Sequence, residues 1–159
     1  MKKEFDMKKG DENADRAVKV MMGAVAAAAI VPAHVNWALA AAAIGTGCAA
    51  IGGAYGIGMT KDEGWMLGKQ FLIGAGSWFL AMNVGVKLFA AIAESTGIGY
   101  VAGAAIDAAF CSASAWAIGG CAKSYFRNMA LGKMQNPAEF GKLFREMYKA
   151  YKNGTVKAN

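Results

Sequence analysis

Apolar residues occupy long blocks of this chain, and the polar, glycine and proline residues between the blocks mark the ends of predicted helices. Residues 1–13 precede the first block; they are polar and show no periodicity, so we expect a mobile arm there. The first helix is predicted to begin near Asn13 or Asp15 and to run to about Ile30. Pro32 ends it, because proline disfavours helical geometry in the preceding residue and has no N–H to continue the hydrogen-bond ladder.

The second helix is predicted from His34 or Asn36 to Tyr55, where a cluster of glycines provides a C-terminal stop. A capping box follows, in which the Thr60 hydroxyl accepts from the Glu63 N–H and the Glu63 carboxylate accepts from the Thr60 N–H. This pair therefore predicts that a third helix begins at the next residue after Thr60.

The third helical region is predicted to run from Lys61 to Glu94, with a bend at Gly74–Gly76. Asn83, Lys87 and Glu94 fall on one face of its second half, which is therefore amphipathic. This polar face makes Lys87 and Glu94 candidates for buried ion pairs, or for the lining of a polar lumen.

A fourth helix is predicted from about Tyr100 to Phe126, and Asp107 is its lone carboxylate. Burying an unpaired charge is very costly. We therefore expect Asp107 to form a structural ion pair with Lys87 or Lys69, with a proton or ion pathway as the alternative.

The last helix follows Asn136-Pro-Ala-Glu139, which has the N-cap, proline and glutamate of a helix start. One face of this helix is apolar and the other is basic, as in a helix that lies at a membrane interface. Of the two we favour packing of the apolar stripe on the bundle, because left in water it would be an unusually large patch for a monomer. The candidate membrane or partner surface comprises Phe140, Phe144, Tyr148, Lys142, Arg145 and Lys149.

The predicted fold is all-α, a single bundle of about five Ala/Gly-rich helices, with membrane-inserted hairpins as an alternative. We divide it into the arm, a helical domain over residues 14–127, and a basic amphipathic C-terminal helix and tail over residues 128–159. The hydrophobic fraction is 56% and alanine is its commonest residue, and the chain also has 21 glycines. Small side chains let helix backbones approach closely inside or outside a membrane. The pattern leaves open whether lipid covers part of these helices, and whether the glycine clusters contact the same chain or a second copy.

The charge is concentrated at the C-terminal end. Residues 1–19 carry a net charge of +1, residues 20–122 carry −1, and residues 123–159, with eight basic and two acidic side chains, carry +6. Such a tail suits a cytoplasmic flank beside anionic lipid headgroups, an acidic protein partner, or a solvated helix face. Nucleic acid is not expected, because no nucleic-acid motif accompanies the charge.

The residue pattern predicts no catalytic, metal or cofactor site. His34 is the sole histidine, and no carboxylate lies near it in sequence to orient it, so we expect a helix-entry or core role. Cys48, Cys111 and Cys121 form no CxxC pair and no metal-ligand spacing, which predicts reduced, buried cysteines. The Gly-Ile-Gly of residues 97–99 lacks the Gly-Lys-Ser/Thr ending of a phosphate loop and predicts a tight turn instead.

A series of short landmarks occurs in a fixed order along residues 14–127. They are Ala17-Val-Lys-Val-Met-Met-Gly-Ala24, Ile30-Val-Pro32, Ala54-Tyr-Gly-Ile57, Thr96-Gly-Ile-Gly99, Ala117-Ile-Gly119 and Ser124-Tyr-Phe126. Their order resembles the uncharacterised YcjF-type family of bacterial helical domains. The family usually has a second proline and an aspartate after the first proline, and here His34 and Asn36 stand at those places.

The resemblance implies a helical fold and a context rather than an activity. Members occur alone or fused to small GTPase domains and are often described as membrane proteins. We therefore expect a non-enzymatic, self-associating scaffold or partner module at the bacterial inner membrane, with a cytoplasmic C-terminus and a GTPase encoded elsewhere as a partner. The alternatives are a pore-forming homo-oligomer, or a soluble, cytoplasmic bundle that binds a protein or an apolar ligand.

Overall fold

The computed structural model describes residues 6–29, 33–76 and 99–154, with side chains other than those of residues 29, 33–38, 99–108 and 110. This part of the chain is entirely helices and their connections, so the predicted all-α bundle of five helices is confirmed. The helices are α1 (Met7–Ala29), α2 (Ala33–Ala54), α3 (Lys61–Ala75), α4 (Gly99–Ala130) and α5 (Gly141–Lys152), with a 3₁₀ turn (Pro137–Phe140) before α5.

Helix α1 begins at Met7, earlier than predicted. The prediction of a mobile arm over residues 1–13 is therefore wrong for residues 7–13. The physical reason is an N-cap at Asp6, whose carboxylate accepts a hydrogen bond of 3.1 Å from the Lys9 N–H. The added turns pack against the bundle, since Gly10 and Ala14 are buried.

The capping box before α3 is confirmed. The Glu63 N–H donates to the Thr60 hydroxyl at 3.2 Å, and the Thr60 N–H donates to the Glu63 carboxylate at 2.7 Å. The helix ends at Ala75, where Gly76 takes a positive φ of 71° and its N–H turns back to the Ile73 carbonyl. The predicted continuation to Glu94 lies outside the described residues.

Helix α4 extends to Ala130, four residues beyond its predicted end at Phe126. Asn136 then caps the 3₁₀ turn rather than α5 itself, accepting from the Ala138 N–H at 3.1 Å. The predicted domain boundary at residue 128 does not divide the structure into two units. Helix α5 packs on α3 and α4 and buries Phe144 and Tyr148 in the core that they share.

The described helices form one bundle around a single core. Helix α1 lies between α2 and α4, α2 packs on α1 and α3, and α5 covers α3 and α4. The largest fully buried side chains come from all five helices: Met21, Cys48, Ile51, Phe71, Ile118, Cys121, Phe126, Phe144 and Tyr148.

Glycines mark the closest helix crossings, and they join elements of the same chain. A Cβ on Gly64 of α3 would overlap the carbonyl oxygen of Gly45 on α2, and a Cβ on Gly141 would overlap the carbonyl oxygen of Gly74. A Cβ on Gly119 of α4 would lie 2.7 Å from the Val18 side chain of α1. The glycine content therefore sets helix spacing inside this bundle.

Among the residues with described placement, no helix is both long enough and apolar enough to cross a membrane.

Candidate functional site

The basic residues of the C-terminal part lie on a helical hairpin, residues 123–154, made of the end of α4, the connection and α5. We call this segment the basic hairpin. It carries seven basic and two acidic side chains, a net charge of +5. Its lysines beyond the α4 helix are exposed, and Lys142 is 84% exposed.

The apolar stripe of α5 faces inward, so the predicted membrane or partner surface is wrong for Phe140, Phe144 and Tyr148. All three are buried. Phe140 packs edge-on against Phe71 of α3 at 5.5 Å between ring centroids, and Phe144 stacks on Tyr148 at 6.4 Å. The alternative that the stripe packs on the bundle is therefore confirmed.

The basic members of the predicted surface differ among themselves. Lys142 and Lys149 are exposed, whereas Arg145 is half-buried and donates from Nη1 to the Ala75 carbonyl at 3.3 Å, at the C-terminal end of α3. Arg145 thus holds α5 against α3, and Lys142 and Lys149 remain on the surface.

The connection between α4 and α5 exposes two large apolar side chains. Met134 is 88% exposed and Leu131 is 49% exposed, on either side of Gly132, which turns the chain with a φ of 77°. Lys133 lies between them and is exposed. The tip of the basic hairpin is therefore apolar and flanked by positive charge.

Opposite charges join the first half of α1 to the end of α4. Lys123 Nζ donates to the Asp15 carboxylate at 2.7 Å, and Arg127 Nε lies 3.4 Å from both carboxylate oxygens of Asp11. The Tyr55 hydroxyl, at the end of α2, donates to Asp11 at 2.5 Å. We call these five residues the α1–α4 polar cluster.

Charge and burial shift two ionisations in this cluster. Burial by itself would raise the pKa of Asp11, but the hydrogen bond from Tyr55 and the charges of Lys123 and Arg127 outweigh it and lower that pKa below its ordinary value. Burial and then the hydrogen bond to Asp11 raise the pKa of Tyr55. Tyr55 is therefore a neutral donor and Asp11 a charged acceptor.

A partly open cleft of about 340 Å³ lies beside the polar cluster, between α1, α4 and α5. Its volume is within the range of about 300–1,000 Å³ that small-molecule sites occupy. The walls combine apolar side chains with a polar end, and the lining residues are Asp15, Val18, Trp116, Gly120, Lys123, Ser124, Arg127, Leu143 and Met147.

The polar cluster was not predicted from the sequence, although a signal for it exists. Asp11 and Asp15 are four residues apart on α1, and Lys123 and Arg127 are four apart on α4, so each pair shares one helix face. More than 100 residues separate the two pairs in the sequence, so only the folded structure shows that they meet.

The other predicted site residues fall outside what the structure shows. Lys87 and Glu94 lie outside the described residues, and Asp107 lies on α4 without a described side chain. The ion pair expected for Asp107, and the polar lumen of the pore alternative, therefore stay predictions. His34 likewise lies on α2 with only its backbone described.

The three cysteines are free thiols. Burial raises the pKa of Cys48 to about 12, and burial together with the nearby Cys48 raises that of Cys121 to about 12. Within the described ranges, no group of histidine, cysteine, aspartate and glutamate side chains is arranged to hold a metal ion.

Neither the family models, nor the curated proteins, nor the solved structures include a match to this chain. The resemblance to the YcjF-type family stays a prediction, and the function has to be argued from the surfaces described above.

Proposed function

We propose that this chain is a non-enzymatic helical partner module that associates with an anionic membrane surface through the basic hairpin. The observation that carries the proposal is the exposed apolar tip, Leu131 and Met134, on a segment with a net charge of +5. This is peripheral attachment, and it needs no helix that crosses the bilayer.

Charge supplies the part of the expected affinity that depends on anionic lipid. Asp11 and Asp15 neutralise Arg127 and Lys123, which leaves a net charge of about +3 on the rest of the hairpin. Each basic residue near an anionic leaflet contributes about 1 kcal/mol. The hairpin should therefore bind anionic vesicles about 100-fold more tightly than neutral vesicles, since about 1.4 kcal/mol is a factor of ten.

The apolar tip supplies a contribution that does not depend on salt. Burying a methionine or leucine side chain fully is worth about 1.5–3 kcal/mol. Met134 is almost completely exposed in water, so it gains more from entering the headgroup region than Leu131 does. The combination of charge and a small apolar tip is typical of reversible surface attachment.

The family resemblance is the sole support for a GTPase partner, and self-association likewise rests on the sequence. Both are kept in the proposal as expectations about what the module does once it is at the membrane. Sedimentation velocity of the purified chain checks self-association directly. A single species with the mass of one chain, 16.5 kDa, would contradict the expectation of self-association.

The test is co-sedimentation with phosphatidylcholine vesicles that either contain or lack phosphatidylserine. We expect the chain to pellet with the anionic vesicles and to be released in high salt, which shortens the Debye length to about 3 Å at 1 M. The Lys142→Glu/Lys152→Glu variant should weaken binding strongly, and Met134→Ser should leave more protein in the supernatant at every salt concentration.

The matched control is Lys61→Glu/Lys69→Glu, which makes the same change in net charge on α3. This variant should retain most of the binding. If the two double variants lose binding equally, or if the unmodified chain stays in the supernatant with anionic vesicles, the basic hairpin is not a membrane-docking surface.

A further inference from the structure

The cleft between α1, α4 and α5 has an apolar wall and a polar end. Val18 of α1 and Leu143 and Met147 of α5 contribute aliphatic and thioether groups. Trp116 adds an aromatic face, and its indole Nε1 is buried without a hydrogen-bond partner among the described residues. Such walls suit a ligand that has an apolar body.

The polar end of the cleft has unused donor capacity. Arg127 contacts Asp11 through Nε, and within the described part of the chain its terminal nitrogens make no hydrogen bond. Those nitrogens can hold a carboxylate in a bidentate arrangement. The Lys123 ammonium has three donors and directs one to Asp15, and the Ser124 hydroxyl lies between the two cations in sequence.

The charges at the polar end of the cleft are already paired. Lys123 lies against Asp15 and Arg127 against Asp11, so these four side chains together carry no net charge. Selectivity for an anion therefore rests on the N–H donors of Arg127 and Lys123 that these pairs do not use.

We propose that this cleft binds a small amphipathic carboxylate, with its head on Arg127 and Ser124 and its apolar chain along Val18, Leu143 and Met147. This site shares Lys123, Ser124, Arg127, Leu143 and Met147 with the basic hairpin, but its lining does not include the exposed tip residues Leu131 and Met134.

The size of the cleft suits a small ligand. Its volume of about 340 Å³ lies at the low end of the range of about 300–1,000 Å³ that small-molecule sites occupy. Octanoate, a short straight-chain carboxylate with a charged head and an apolar chain, is therefore the probe.

The experiment is calorimetric titration of the purified full chain with octanoate below its micelle concentration and without vesicles. Two comparators keep the eight-carbon chain and change the head group. Octan-1-ol tests whether the head group has to be charged, and octylammonium tests whether that charge has to be negative. We expect octanoate to bind at one site per chain, octanol to bind at least about tenfold more weakly, and octylammonium not to bind.

Three variants locate the site. Arg127→Gln should weaken octanoate binding at least about tenfold, because it removes a charged hydrogen-bond donor. Ser124→Leu should abolish binding by filling the cleft. Lys142→Gln removes an exposed charge of the basic hairpin outside the cleft and should leave binding unchanged. Thermal melting of each variant establishes that it is folded.

Equal affinities for octanoate and octanol would overturn the proposal, as would equal weakening by Arg127→Gln and Lys142→Gln. So would an unmodified chain that releases no heat with octanoate and shows no rise in melting temperature. Because no vesicle is present, these outcomes do not depend on whether the basic hairpin binds membranes.

Discussion

The closest crossing of α2 and α3 predicts that one added methyl group, Gly64→Ala, destabilises the protein. In a helix an alanine is ordinarily better than a glycine by about 1 kcal/mol. At Gly64, however, the new Cβ would meet the carbonyl oxygen of Gly45 and would lie 3.2 Å from the Ala49 nitrogen. Both are backbone atoms of α2, so no side-chain rotation relieves the overlap.

The size of the effect follows from these two opposing contributions. A carbon atom and a neighbouring heavy atom reach their optimal separation at about 3.5–4.0 Å, so the two helices must separate by roughly 1 Å. Overpacking a well-packed core costs about 1–3 kcal/mol, and a rigid neighbour places Gly64→Ala at the upper end. After the helix-propensity gain, we expect a net loss of about 2 kcal/mol.

The assay is thermal and urea unfolding of the variant beside Gly23→Ala. Gly23 lies within α1 with nothing within 4 Å of its added Cβ, so the same substitution there brings the propensity gain alone. For a chain of this length about 1 kcal/mol shifts the melting temperature by about 2–4 °C. We expect a fall of about 4–8 °C for Gly64→Ala and a rise of about 2–4 °C for Gly23→Ala. A Gly64→Ala variant as stable as the unmodified chain would refute the reasoning.

Three further predictions concern the polar cluster and the thiols. Tyr55→Phe removes the hydrogen bond to Asp11 and should lower the free energy of unfolding by about 1.5 kcal/mol, measured in urea. Because the folded pKa of Asp11 lies below its ordinary value, 3.8, its contribution to stability is present above that pH and is lost as the pH falls toward the folded pKa. Asp11→Asn should therefore be less stable than the unmodified chain at neutral pH, with the difference narrowing in acid. Alkylation followed by mass spectrometry should modify Cys111 before Cys48 and Cys121, because Cys111 is only partly buried.

Each of these predictions has its own contradicting result. An unchanged urea midpoint for Tyr55→Phe would show that water replaces the lost hydrogen bond. A stability difference for Asp11→Asn that stays constant from neutral pH to about pH 3 would show that its pKa is not lowered by folding. Equal alkylation rates at all three thiols would show that the core around Cys48 opens readily.

Helix boundaries set by neighbouring residues were predictable. The capping box is complete within four residues, from Thr60 to Glu63, so its geometry depends little on the rest of the fold. The early start of α1 had an equally local signal, the Asp6 side chain three residues before Lys9. It was missed because the following residues are polar and show no apolar period, although Met7 and Ala14 pack against the core.

Contacts between distant segments were not predictable from spacing. The apolar stripe of α5 was evident in the sequence, but its burial depends on Phe71 of α3, which supplies the facing ring. Gly45 is a second example, because a glycine among small residues on a helix suits a helix contact within one chain or between two chains. The residue that packs against each of them is determined by how distant helices meet in the bundle, and the adjacent sequence does not identify it.

The position of α1 between α2 and α4 has a consequence for biosynthesis. Lys123, which pairs with Asp15, is made 108 residues later. At about 5–20 residues per second, α1 waits roughly 5–20 s for the helix that covers one of its faces. Helix α1 thus leaves the ribosome well before α4, and during that interval the apolar side chains that α4 will cover are available to a chaperone or to a neighbouring nascent chain.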